Sequence, residues 1–203
     1  MDKNSKHLFF TLLAVMTIVF YSCKKKKNET SEGIFAGETN SEIMLVTEGV
    51  NKTLNPSEGQ QSEFVIDINN DSDNDFNFIA KNKYKSGKFI ETEVVVNCLN
   101  QAQIVKVDSL GDDRIFTAKF KKSALIATFF QFESKTAIFA SANTDTSTNT
   151  TNIYCDWCNV SENYMAYRVK RKNSNSYQLG WILISVPDSN CNKILIKSWA
   201  CRK

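Results

Sequence analysis

The feature that most constrains this chain is a recurring rhythm of short apolar or alternating runs, cut by Asn, Asp, Ser and Gly. The cuts recur about every 8–12 residues, and the runs are rich in Val, Ile, Phe, Tyr and Thr, which suit a pleated, half-buried surface. The pattern predicts strands at 43–47, 63–68, 76–81, 89–98, 103–107, 115–120, 136–140, 152–155, 164–170, 177–186 and 193–199. Alternation is clean in places: Met165, Tyr167 and Val169 fall on one face, Arg168 and Lys170 on the other. Residues 179–186 form a long apolar run and predict a central strand buried on both faces, with Gly180 marking a bulge or a close backbone approach. The composition of 124–132 tolerates a helix, but Thr128 and three phenylalanines favour a buried strand. The Ser/Thr/Asn tract 141–152 reads as a mobile surface loop. Many short strands with regular turn signals predict one all-β domain over residues 42–203, a jelly-roll-like β-sandwich.

The N-terminus follows a different logic. Lys3 and Lys6 precede an apolar run over residues 8–21, which ends at Ser22-Cys23 and is followed by lysines 24–27. A spanning helix needs roughly 20 apolar residues, and this run is shorter. A basic start, a short apolar stretch and a small residue before a cut site make a secretory leader. The arrangement resembles a bacterial lipoprotein signal peptide, with Ser22-Cys23 as its best-matching part; Phe20 and Tyr21 depart from the usual aliphatic and small residues. The resemblance covers only the first two dozen residues. It implies removal of residues 1–22, acylation of Cys23, a flexible tether over 23–41, and a lipid bilayer as first partner. It also implies the outer membrane of a Gram-negative bacterium, and the basic residues after Cys23 favour its periplasmic face.

The charge balance depends on this leader. Setting aside Lys3, Lys6 and lysines 24–27 reduces 25 Lys+Arg to 19, and setting aside Asp2 reduces 22 Asp+Glu to 21. The remaining domain is slightly acidic, so no basic face points to nucleic acid. The single histidine, His7, lies in the leader. A mature domain would therefore lack Ser-His-Asp and Cys-His catalysis and every His-ligated metal site.

Five cysteines follow Cys23: Cys98, Cys155, Cys158, Cys191 and Cys201. Outside the cytoplasm disulfides persist. The preferred pairing is Cys155–Cys158 and Cys191–Cys201, with Cys98 buried and free. The CxxC at Cys155 and Cys158 also raises thiol-disulfide exchange, although no βαβ pattern surrounds it.

The sharpest local motif is Asp67-Ile68-Asn69-Asn70-Asp71-Ser72-Asp73-Asn74-Asp75. Asp67, Asn69, Asp71, Asp73 and Asp75 space their oxygens as EF-hand ligands are spaced, making calcium the one candidate cofactor, with none required. Ser72 replaces the usual glycine, and Phe78 stands where a bidentate Glu belongs; a polar hairpin turn is the competing reading. Trp181 is a candidate stacking surface for a sugar, against the commoner fate of a core residue. Glu91/Glu93 and Asp112/Asp113 read as solvated charge, and Asp108-Ser109-Leu110 resembles a short O-glycosylation sequon.

These readings predict a membrane-anchored cell-envelope lipoprotein acting as a non-enzymatic binding or structural module toward an envelope protein or glycan. Carbohydrate binding is the first alternative and disulfide exchange through Cys155/Cys158 the second.

Overall fold

A computed structural model describes residues 33–46, 50–85, 87–107, 115–154 and 157–203. Cys23, Cys155 and residues 108–114 lie outside them. Among the described residues every regular element is a strand, and no helix is long and apolar enough to cross a membrane.

The strands are β1 (Gly33–Phe35), β2 (Ile43–Val46), β3 (Lys52–Leu54), β4 (Gln60–Ile66), β5 (Phe76–Lys85), β6 (Phe89–Cys98), β7 (Gln103–Val107) and β8 (Phe116–Thr117). There follow β9 (Leu125–Ala127), β10 (Phe132–Glu133), β11 (Ala137–Asp145), β12 (Thr150–Ile153), β13 (Val160–Lys170), β14 (Tyr177–Val186) and β15 (Ile194–Arg202). One large sheet runs β2-β15-β14-β13-β7-β8-β11-β6-β5-β4, with β10 beside β7, β12 beside β11 and β3 beside β15. All its named pairings are antiparallel except β11 with β8. Two meanders, β4-β5-β6 and β13-β14-β15, make up most of it, and the sheet is nearly closed, as a sandwich or barrel-like single domain.

The main core lies between the two meanders. Phe76, Phe78, Val94 and Val96 face Met165, Tyr167, Ile182 and Ile184 across it, and all are buried. The rings of Phe76 and Tyr167 meet edge-on at 5.5 Å. A second core lies on the other face of β13-β14-β15 around Trp181, Leu179, Ala166 and Ala200, and is capped by Ile34 of β1 and Ile126 of β9. β14 is thus buried on both faces, as its apolar run predicts.

The pairings on β14 are sized to match. Trp181 lies between Ala166 and Ala200, small neighbours that leave room for the indole. One residue earlier, Gly180 lies between Tyr167 and Cys201. A Cβ on Gly180 would sit 2.0 Å from Tyr167 Cζ and 2.5 Å from the Ala200 oxygen. Gly180 therefore marks a close approach, as expected.

Several elements differ from the sequence reading. The tract 141–152 is a hairpin of β11 and β12, because its β-branched threonines pair across it: Thr144 and Thr151 hydroxyls lie 2.9 Å apart. The stretch 124–132 breaks at a turn in which Phe130 N–H donates to Ala127 C=O. That break lets β9 pair with β1 and β10 with β7. Within the stretch read as tether, Gly33–Phe35 forms β1, whose Ile34 is buried.

Candidate functional site

The acidic loop is shaped by its own side chains. Its ends leave β4 and enter β5, a hairpin pair whose register runs Ile66 against Phe76. Asp67 accepts from Asp71 N–H at 3.2 Å through Oδ1 and from Ser72 N–H at 2.7 Å through Oδ2. Asp71 Oδ1 accepts from Asp73 N–H at 3.0 Å, and its Oδ2 from Asn69 Nδ2 at 3.1 Å. These are the short local bonds that Asp and Asn form in turns. Asn70 and Ser72 take positive φ, which the tight winding requires. Among the described residues no three His, Cys, Asp or Glu gather in metal-binding geometry. The carboxylate oxygens of Asp67 and Asp71 are already engaged, so a calcium ion there would compete with these donors.

Asp75 is the anchor of the loop. It is 4% exposed, and its Oδ2 accepts from Ile68 N–H at 2.8 Å, clamping one end of the loop to the other. Its backbone N–H donates to Ile66 C=O, and its own C=O accepts from Leu99 N–H, both at 2.8 Å. Burial pushes the Asp75 carboxyl up to about 6; the Ile68 N–H opposes this, and the charges of Asp67, Asp71 and Asp73 add to it. Burial, followed by the Asp75 charge, also pushes the nearby Cys201 thiol up to about 11.

A cleft of about 570 Å³ opens beside this loop. Asp71, Asp73 and Asp75 form part of its lining, and Lys170 at the end of β13 with Arg171 and Lys172 of the β13–β14 turn another part. Lys172 Nζ donates to the Asp71 C=O at 2.5 Å and stands 3.9 Å from the Asp73 carboxylate. Asn100 closes a third side, its Nδ2 donating to Asn74 C=O at 2.9 Å. Carboxylates, cations and amides all reach one space, so it suits a small polar ligand that carries both charges. The sequence reading found the acidic half of this cleft and missed the basic half. Residues 170–175 are distant in sequence from the loop, and the only signal was a Lys-Arg-Lys run at a hairpin tip.

The other candidates are placed as follows. Cys158 is bonded to Cys191, with Cα atoms 5.3 Å apart, which overturns the Cys155–Cys158 and Cys191–Cys201 pairings. Cys201 is a buried free thiol and Cys98 a partly buried one. Cys158 follows the buried Trp157, which meets Phe139 edge-on at 5.0 Å and donates to Thr117 C=O at 3.1 Å. The bridge thus ties the residue after this anchored indole to the loop between β14 and β15, 33 residues away. Trp181 is 3% exposed and meets Tyr164 edge-on at 5.2 Å, so its ring offers no stacking surface. Trp157 and Trp199 are buried as well, and among the described residues no aromatic lines the cleft. Glu93 pairs with Lys81 at 3.0 Å.

Comparison with known protein families, characterised proteins and solved structures finds no match to this chain.

Proposed function

We propose that this chain is a lipid-anchored module of the bacterial cell envelope that binds a small charged ligand or the charged tip of a partner, without catalysing a reaction on it. The cleft carries this reading. Cations at 170–172 and carboxylates at 71, 73 and 75 share one lining on a frame fixed by the buried Asp75 clamp. The anchoring half comes from the leader and Cys23. It is supported by the position of the fold: the described strands and the named residues of both cores all lie at or beyond Gly33, downstream of Cys23. The non-catalytic half is supported by His7, the single histidine, which removal of the leader takes away. The carbohydrate and disulfide-exchange readings draw no support from the site, since the tryptophans are buried and Cys158 is held by Cys191.

The test has two arms. The mass of the N-terminal peptide from a native membrane fraction should show an acylated Cys23; an unmodified thiol or an intact leader would remove the anchor. Titration with zwitterionic dipeptides, followed by amide chemical shifts, should move the signals of residues 71–75 and 170–175 together. Shifts that persist in both Arg171→Ala and Asp73→Ala would remove the cleft from the account.

A further inference from the structure

We propose that the corner formed by β1 and β9 is the face this chain lays on the anionic bilayer surface that holds Cys23; this rests on Cys23 being the lipid anchor. The two-stranded β1–β9 unit is apolar on both sides. Its inner side buries Ile34 and Ile126 against the Trp181 core. On its outer side Phe35 is 47% exposed and stands opposite Leu125, which is 37% exposed. The turn that leaves β9 carries Phe129, at 73% the most exposed large apolar side chain of the described residues. Its ring meets Phe130 edge-on at 5.2 Å. Large apolar side chains gathered at one corner mark a contact surface rather than a solvated one.

The position of this corner selects its occupant. Gly33, the first described residue, stands opposite Ala127, two residues before Phe129. Only the steps from residue 23 to residue 33 intervene, and an extended chain of that length spans at most roughly 36 Å. A bilayer holding Cys23 therefore keeps this corner within reach. Charge agrees as well. Lys121 and Lys122 are exposed in the turn that Ser123 N–H ties to Ala36 C=O at 2.8 Å, and the tether itself carries lysines 24–27. Basic residues near an anionic leaflet are drawn to its headgroups, while aromatic side chains settle at the boundary with the acyl chains. Two exposed acids stand beside this corner: Glu38, its N–H bonded to Phe35 C=O at 3.2 Å, and Glu42, paired with Arg202 at 3.3 Å. Cations and aromatics on one corner fit that surface.

The experiment uses the full-length protein purified with its native N-terminus and reconstituted into phosphatidylcholine/phosphatidylglycerol vesicles. Phe129→Trp places an indole at the corner, and Phe35→Trp repeats the measurement if the first variant does not fold. Lipids brominated near the headgroup should quench the new indole several-fold more than they quench the buried native tryptophans, and Lys121→Glu/Lys122→Glu should reduce that quenching. An acylated Cys23 with an indole open to aqueous iodide and untouched by brominated lipid overturns the docking while leaving the anchor standing. An indole shielded only in proportion to protein concentration, with a dimeric mass, overturns it in favour of a second copy of the chain. An unmodified Cys23 overturns the anchor, and the docking argument with it.

Discussion

The ring of Tyr167 lies over the bare backbone of Gly180, and its hydroxyl donates to Ala200 C=O at 2.9 Å. Tyrosine on β13, glycine on β14 and a carbonyl on β15 thus form one interlocked set inside the main core. Gly180→Ala is expected to cost about 3 kcal/mol or more, because the new methyl must displace a fully buried ring. Tyr167→Ala should relieve that clash, so the two changes together should cost less than their sum in urea unfolding. Simple additivity would show that the ring is free to move aside.

The Asp75 carboxyl predicts the sign of a pH effect. Its folded value, about 6, lies above the ordinary 3.8, so the folded state holds the proton more tightly. The stability this brings is complete below about pH 4 and is lost as pH rises through about 6. The full effect is about 3 kcal/mol for a shift of this size. Asp75→Asn keeps an oxygen for Ile68 N–H and carries no charge, so its stability should fall less between pH 4 and pH 7. Parallel curves for the two proteins would remove Asp75 as the cause.

The Cys158–Cys191 bridge spans 33 residues. By the loop-closure relation its loss should cost about 3–4 kcal/mol. Cys191→Ala, compared with Cys201→Ala by denaturant midpoint, should show a large effect for the first. A non-reduced digest should yield a peptide joining Cys158 to Cys191; a Cys155–Cys158 linkage would contradict the pairing.

Two buried tryptophans should respond differently to the same change. Trp157 donates its indole N–H to Thr117, whereas the Trp181 Nε1 has no hydrogen-bond partner among the described residues. Trp157→Phe and Trp181→Phe remove similar volume. The first should cost more by about 1 kcal/mol, the net worth of the bond it breaks. Equal losses by thermal unfolding would count against that assignment.

Millimolar calcium should leave the melting temperature unchanged, since both Asp67 oxygens and both Asp71 oxygens already accept hydrogen bonds. A saturable calorimetric heat, lost in Asp71→Ala, would instead make 67–75 a cation site.

Much of the fold was legible because strand period and turn chemistry are local. The runs 89–98, 103–107 and 177–186 fall on β6, β7 and β14. β1 and β3 were missed because each is three residues long, too short to show a period, and exists by pairing with distant partners, β9 and β15. The hairpin at 137–153 was hidden by polarity: Thr144, Thr150 and Thr151 read as loop until Ser141 and Ala142 are seen buried beside β6. The cleft was half legible for the same reason as the disulfide. Asp71 and Asp73 are neighbours in sequence, but the approach of Lys172, and that of Cys191 to Cys158, is set by topology, which no local pattern encodes.

Among the described residues β15 is the only neighbour that β2 and β3 have in the large sheet, since Ile43–Val46 and Lys52–Leu54 both pair along Ile194–Arg202. A chain made from its N-terminus leaves these early segments without those backbone partners until residues 194–202 emerge. Pairing of β2 and β3 therefore waits for β15, and loss of residues 194–202 unfastens strands that were made first. Folding dominated by such distant pairings is a millisecond-to-second process, so β2 and β3 are among the last strands to be secured.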